Sequence, residues 1–265
     1  MSLDRVMIVS RLVENRHIAR GCHDLLFSGE LKASPGQFVM IWIPGSDEIP
    51  MSISRLEPGG IGLTVKIAGE ATKALSSLRK GDRVRIRGAY GRPFDIKGRN
   101  AVLVAGGIGA APLLFLANTM RDKNIKATVI LGARTEKEIP LQKEFERLGF
   151  ETLFSTDDGS KGFCGTASDC FRNEIASGRD FDAVYCCGPE AMISDVCEIA
   201  SRKGLWGQAA LERYMKCAIG ICGACAINDK LVCRDGPVFD FSQLQHLSEF
   251  GKCKRDASGR ARAIV

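Results

Sequence analysis

Cys217, Cys222, Cys225 and Cys233 follow the spacing C-x4-C-x2-C-x7-C. Three thiols in one short run with a fourth from a neighbouring turn is the plant-type arrangement for a [2Fe-2S] cluster, in which four thiolates surround two irons. A loop carrying three ligands must curl and let backbone amides approach the sulfides. Ala218, Gly220, Gly223 and Ala224 are small enough to allow this. A tetrahedral zinc site is the competing reading, but it more often uses two C-x2-C pairs or Cys/His mixtures, and one close pair is present here. Four reduced cysteines without metal is the remaining alternative, and it leaves their clustering beside glycines unexplained. The chemistry implied is the transfer of single electrons.

A second group has the character of a nucleotide site. Gly106-Gly107-Ile108-Gly109 follows the apolar run 101–105, which reads as a strand buried on both faces of a parallel sheet. A helix follows, with Pro112 in its first turn. Amides and the helix dipole at such a junction favour a pyrophosphate or nicotinamide ribose. A glycine cluster without the full G-x-G-x-x-G form can also be purely structural. Thr156-Asp157-Asp158-Gly159 and Cys187-Gly188-Pro189-Glu190-Ala191-Met192 come after predicted strands too, so Asp157, Cys187, Gly188 and Pro189 are expected on the same carboxyl edge of the sheet.

The elements that must hold these residues fall into three stretches. At 265 residues and 45% hydrophobic content, the chain has room for two compact domains and a small appendage. Short β-rich runs separated by Gly and Pro fill the first part, with strands over 38–43, 61–67 and 83–87 and one helix over 71–78; this pattern predicts an antiparallel barrel. The character changes at Lys97-Gly98-Arg99-Asn100. Strands over 101–105, 127–131, 151–155 and 183–187 then alternate with helices over 141–148 and 190–203, which predicts an open α/β sheet. From residue 207 the chain is Cys-rich, turn-rich and too small to hold a core without a metal cluster. The expected boundaries are 1–97, 98–206 and 207–265.

Composition excludes several functions. Eleven Cys, an odd number with cluster spacing, argue for a reducing compartment and against a disulfide framework. Cys22, Cys164, Cys170, Cys186, Cys197 and Cys253 are then expected to be small, partly buried apolar residues. Residues 1–13 contain no long apolar stretch, and nowhere do about 18 apolar residues run together, so a soluble cytoplasmic protein without a membrane partner is expected. The net charge of +6 gathers at Lys252, Lys254, Arg255, Arg260 and Arg262, without the aromatic interleaving of a nucleic-acid site. His17, His23 and His246 fit no ligand spacing, and no Ser/His/Asp or paired-carboxylate set is present. No catalytic side chain is therefore assigned, as suits redox chemistry carried by cofactors.

The barrel, the Gly-Gly-Ile-Gly turn and the Cys-Gly-Pro-x-x-Met turn together resemble the ferredoxin reductase superfamily over residues 1–205. With Leu211-Glu212-Arg213-Tyr214-Met215-Lys216-Cys217 and Cys233-Arg234-Asp235-Gly236-Pro237-Val238-Phe239, nearly the whole chain resembles the electron-transfer subunits of type B dihydroorotate dehydrogenase. The resemblance implies a multidomain β plus α/β protein: an antiparallel FAD-binding β-barrel, a Rossmann-like NAD(H) domain and a small C-terminal [2Fe-2S] segment. The family's flavin segment Arg-Pro-x-Ser aligns with Ile49-Pro50-Met51-Ser52. Its pyrophosphate-pairing arginine is absent, leaving Arg55 or Lys66 to supply the charge. Ser52 and Ile53 are expected to meet the isoalloxazine ring through a hydroxyl and backbone amides.

Thr64-Val65-Lys66 and Gly69-Glu70-Ala71-Thr72 match the second flavin segment, whose usual Gly-x-Gly-Thr has become Gly69-x-Ala71-Thr72. Gly88-Ala89-Tyr90-Gly91-Arg92-Pro93-Phe94 matches the barrel-closing loop, where Tyr90 and Phe94 are expected to staple the domains. The resemblance also implies a partner, an FMN-containing dihydroorotate dehydrogenase catalytic subunit, in a heterotetramer with two copies of each subunit. Electrons would pass from its FMN through the cluster and FAD to NAD+, in pyrimidine biosynthesis. The alternatives are the small subunit of another NAD(P)H:ferredoxin-type oxidoreductase or sulfide dehydrogenase, and a zinc-stabilised nucleotide-binding module.

Overall fold

The computed structural model describes residues 6–264. In the first part β1 (Val6–Ala19), β2 (Cys22–Ser28), β3 (Phe38–Trp42), β4 (Ile49–Glu57), β5 (Gly60–Lys66) and β6 (Arg83–Tyr90) close into a barrel of order β1-β2-β5-β4-β3-β6. Between β5 and β6 lies α1 (Glu70–Ser76). All the barrel pairings are antiparallel. The alternation in β6 shows why: Val84 and Ile86 are buried while Arg83 and Arg85 are exposed, as period-two side-chain placement requires. Leu25, Phe27, Ile41, Ile53 and Leu63 fill the interior at 0% exposure, each contributing about 1.5–3 kcal/mol of burial.

One charge sits in the barrel wall. Asp24, with a fully buried side chain, accepts from Arg55 Nη1 at 2.7 and 2.8 Å and from Arg16 Nη2 at 2.6 Å. Arg16 also reaches Glu144 at 3.2 Å, which carries the barrel's network onto the second part of the chain.

That part contains β7 (Asn100–Gly106), α2 (Ala110–Asp122), β8 (Lys126–Ala133), α3 (Gln142–Arg147), β9 (Glu151–Thr156), β10 (Phe163–Cys164), α4 (Ala167–Ala176), β11 (Ala183–Cys187), α5 (Glu190–Arg202) and β12 (Gly207–Ala210). The remaining elements are β13 (Ala226–Ile227), β14 (Lys230–Leu231), α6 (Val232–Asp235), β15 (Val238–Asp240), α7 (Phe241–Gln245), β16 (Cys253–Arg255) and β17 (Ala261–Ala263). The large sheet has the order β10-β9-β8-β7-β11-β12-β15. Its pairings are parallel except the last, in which Ala209 faces Phe239. Residues 207–210 and 238–240, expected within the cluster segment, thus extend the nucleotide sheet.

From β7 the chain steps through β8 and β9 to β10, then returns to β11 on the other side of β7 and steps to β12. The connections leaving the carboxyl ends of β7 and β11 therefore part, α2 packing on one face of the sheet and α5 on the other, and ligands of open α/β sheets bind in the crevice at such a switch point. Helix α2 lies between sheet and barrel: Leu113, Leu116 and Met120 join the sheet core, and Phe115 packs on the barrel core. Phe94 stacks edge-on against Tyr185 with 5.8 Å between centroids and so joins the barrel's last turn to the sheet; Tyr90 lies 5.8 Å from Phe38 within the barrel, and these two belong to a buried cluster that runs on into the sheet.

The cysteines expected to be apolar filling divide. Cys22, Cys170, Cys186 and Cys197 are buried and Cys253 is half-buried. Cys164 is exposed, a correction that follows from its place on the short edge strand β10. No helix among the described residues is long and apolar enough to cross a membrane.

Candidate functional site

Two turns meet at the switch point, and their approach depends on glycine. A Cβ on Gly109 would lie 2.2 Å from the carbonyl oxygen of Cys187, and one on Gly106 would lie 2.6 Å from Pro189 Cδ. Gly188 (φ +154°) is pressed against Gly106. Gly107 has φ +52° with nothing within 4 Å of its Cβ position, so its backbone faces open space in a conformation that suits glycine. These turns border a cavity of about 280 Å³, to which Gly106, Gly107, Gly188, Pro189 and Glu190 contribute.

A second cavity, of about 290 Å³, adjoins the first on the barrel side. Pro50, Met51 and Ser52 of β4, Thr64, Val65 and Lys66 of β5, and Thr72 of α1 line it. Strands β4 and β5 place these residues side by side because they pair antiparallel, Ile53 opposite Leu63. The two cavities share Lys66, Ile108, Leu211 and Glu212. Glu212 is open to solvent through the cleft, yet enough protein surrounds it that desolvation pushes its carboxyl up, offset in part by Lys254 and Lys66.

Just beyond Glu212 the chain is tied down. Arg213 is buried and pairs with Glu190 through both terminal nitrogens, Nη2 at 2.8 Å and Nη1 closer still. Glu190 lies in the first turn of α5, where a carboxylate complements the helix dipole, and also accepts from the Gly251 amide at 2.8 Å. From β6, Arg87 pairs with Glu48 at 2.6 and 2.7 Å and donates to the carbonyls of Cys217 at 3.0 Å and Lys216 at 3.4 Å. The barrel therefore holds the start of the cysteine loop.

The loop curls as its small residues require, with φ of +59° at Ala218, +78° at Gly220 and +72° at Gly223. Three amides, those of Ile219, Ile221 and Cys222, point at Cys217 Sγ from 3.5 Å. Burial opposes ionisation of Cys217, but these amides outweigh it and lower the thiol to about 6. Cys233, in α6, donates through its side chain and its backbone amide to Cys225 Sγ, and chiefly the side-chain bond lowers Cys225 to about 6. The same bond holds the Cys233 thiol up. Amides aimed at the sulfurs are what a cluster needs around its ligands. Among the described residues no three Cys, His, Asp or Glu side chains converge closely enough to hold a metal ion.

The structure thus brings Pro50, Met51, Ser52, Thr64, Val65, Lys66 and Thr72 to one cavity and Gly106, Gly107, Gly188 and Pro189 to the next. Other predicted residues lie outside both walls. Ile49 begins β4 opposite Ile41, and the Ile53 side chain is buried in the barrel core. Gly69 caps α1, whose first turn contains Ala71. Gly109 and Cys187 are buried where the two turns touch. Asp157 is exposed after β9, its amide bonded to the Ala133 carbonyl at 3.2 Å. Arg55 is committed to Asp24 and Glu57, so Lys66 is the one of the two proposed cations that faces the cavities. Sequence reasoning passed over Arg87, Glu190, Glu212, Arg213 and Lys254. For Glu212 and Arg213 a signal existed, since both fall in the motif leading into Cys217.

Comparison with known proteins finds relatives for both the nucleotide sheet and the cysteine segment. Residues 212–245 match the family described as the iron-sulfur cluster binding domain of dihydroorotate dehydrogenase B, and residues 103–198 match the oxidoreductase NAD-binding domain. Among solved structures, one described as an NADH-dependent reduced ferredoxin-NADP oxidoreductase aligns with TM-score 0.81 and 29% identity over 89% of each chain. The Methanocaldococcus jannaschii and Pyrococcus furiosus proteins named "Probable dihydroorotate dehydrogenase B (NAD(+)), electron transfer subunit" are 43% and 41% identical to this chain. They cover 85% and 95% of it, and the alignments span 86% and 97% of their own lengths. At that identity over nearly full length, the chain belongs to the family of dihydroorotate dehydrogenase B electron transfer subunits.

Proposed function

We propose that this chain carries electrons between an FMN-containing dihydroorotate-oxidising subunit and NAD+, in pyrimidine biosynthesis, by way of a [2Fe-2S] cluster and FAD. The observation that carries the reading is contiguity. The cavity at the glycine turns and the cavity of the barrel share a wall, and Leu211 and Glu212 in that wall lead within a few residues to Cys217.

The residues present suit these groups. A mostly apolar cavity with Ser52, Thr64 and Lys66 at its edge suits a planar ring with polar substituents, and the four cysteines, with amide donors on Cys217 and Cys225, suit a cluster. FAD exchanges hydrides with a nicotinamide and single electrons with a cluster. The chain's own residues do the rest. Gly106, Gly107 and Gly188 let backbone approach the nucleotide, with the α5 amino terminus behind it. Ile108 and Leu211, common to both cavities, exclude water from the seam. Arg87 fixes the cysteine loop against the barrel. The partner subunit supplies the dihydroorotate site, in a complex of two copies of each chain.

The test is anaerobic purification with the FMN-containing partner, followed by addition of dihydroorotate. Bleaching of flavin and cluster with NADH formation, only when the partner is present, is expected. Cofactors that respond to NADH but never to dihydroorotate would move the chain to another reductase of the same fold, as the likeness to the ferredoxin-NADP oxidoreductase suggests.

A further inference from the structure

The basic residues near the carboxyl end do not form one uniform tail. Arg255 pairs with Glu249 at 3.3 Å and Arg262 with Asp256 at 2.9 Å, while Lys254, opposite Arg262 in the β16–β17 hairpin, is turned to another use. A two-stranded hairpin has little stability of its own, and this one is tied at both ends. Before it, the Gly251 amide donates to Glu190 in the first turn of α5 at 2.8 Å. After it, the Ile264 amide donates to the Lys252 carbonyl at 2.8 Å. So held, the hairpin borders the nucleotide cavity, where Lys254 and Ile264 complete a wall begun by Gly106, Gly107 and Gly188. The hairpin lies beyond residues 212–245, the stretch matched to the iron-sulfur family.

The charges lining that cavity do not balance. Glu190 is already neutralised by Arg213, which leaves Lys66, Lys254 and Glu212. Among the described residues neither ammonium has a hydrogen bond or a contact ion pair, and both act on the Glu212 carboxylate only from a distance. A surplus of positive charge thus stands beside glycine turns that let a ligand approach the backbone, a setting that favours a phosphate-bearing ligand. We propose that the β16–β17 hairpin is part of the dinucleotide site and that Lys254 pairs its ammonium with a pyrophosphate oxygen of NAD(H). The proposal rests on reading this cavity as the NAD(H) site. Lys66 lines the barrel cavity as well, so Lys254 is the cation that serves the nucleotide alone. A compact charge on a flexible stem can reach in from an exposed hairpin and meet a phosphate as a point charge.

The experiment is anaerobic stopped-flow reduction of the flavin in the holoprotein, wild type and K254Q, over a range of NADH concentrations. It is repeated with N-benzyl-dihydronicotinamide, a hydride donor that has the ring but no phosphate. In K254Q the NADH concentration at half-maximal rate is expected to rise roughly fivefold or more, as loss of a charge-assisted contact allows, with the limiting rate unchanged. The gap from wild type should narrow as added salt screens the pair. Reduction by the phosphate-free donor should be the same in both proteins, and K254R, which keeps the charge, should recover most of the NADH affinity. Unchanged NADH affinity in K254Q, or equal slowing with both donors, which would trace the effect to Glu212 or to cavity shape, overturns the proposal alone. A wild-type flavin that NADH does not reduce overturns the reading of the cavity as well.

Discussion

Gly109→Ala is a small change with a large expected effect. The added methyl would sit 2.2 Å from the Cys187 carbonyl oxygen and 2.6 Å from the Gly188 amide nitrogen, more than about 1 Å inside ordinary contact. Neither side can move cheaply. Cys187 ends β11, which is paired with β7 through Ala105 and with β12 through Ala210, and Gly109 leads directly into α2. Overpacking costs about 1–3 kcal/mol, and the upper end applies where the clash is with backbone. At about 2–4 °C per kcal/mol in a protein of this size, the melting temperature should fall by roughly 6–12 °C. The substitution also spreads the turns bordering the nucleotide cavity, and a misplacement of about 1 Å can slow a reaction about 100-fold. NADH-driven flavin reduction, followed by stopped flow, should therefore slow by tenfold or more, while chemical reduction of flavin and cluster stays normal. Gly107→Ala is the control for the melting temperature alone, since Gly107 itself borders the cavity: it meets nothing within 4 Å and should cost only about 1–2 kcal/mol for its positive φ. A Gly109→Ala protein with wild-type melting and wild-type NADH kinetics would refute the argument that the two turns must touch.

Three further substitutions probe other parts of the account. Cys222→Ser should abolish cluster assembly while leaving flavin bound; wild-type iron content by metal analysis would refute the ligand assignment. Asp24→Asn leaves Arg16 and Arg55 without their buried partner and should destabilise by about 3–5 kcal/mol in chemical denaturation, with the iron-to-flavin ratio of the folded fraction unchanged. Ala218→Gly relieves a left-handed residue and should stabilise the apoprotein by about 1 kcal/mol; a loss of stability would mean that the Ala218 methyl, buried at 2% exposure, matters more than its backbone.

What the sequence disclosed was what depends on neighbours along the chain. The cysteine spacing, the glycine turn after a buried strand and the period-two runs of the barrel are local, and strands such as Asn100–Gly106 and Ala183–Cys187 lie within a residue of expectation. Short edge elements were harder. Gly207–Ala210 is made of small residues and Gln, without the β-branched side chains that mark a strand, and it forms because β11 and β15 pair with it. Helix α4 went unpredicted although Thr166 and Asp169 form its capping box. Roles set by tertiary contact were not legible. Arg55 could be offered as a flavin cation until Asp24 came opposite it, and the pairing of Arg213 with Glu190 joins residues 23 positions apart.

The central claim is that nucleotide, flavin and cluster lie along one continuous route. The most direct test is iron, sulfide and flavin analysis of anaerobically purified protein, followed by NADH titration with the visible and electron paramagnetic resonance spectra recorded together. The account predicts about two irons and two sulfides per FAD, with flavin bleaching followed by the paramagnetic signal of a reduced cluster. A colourless protein containing zinc, or a flavin reduced by NADH beside a cluster that stays oxidised at a potential it should accept, would contradict it.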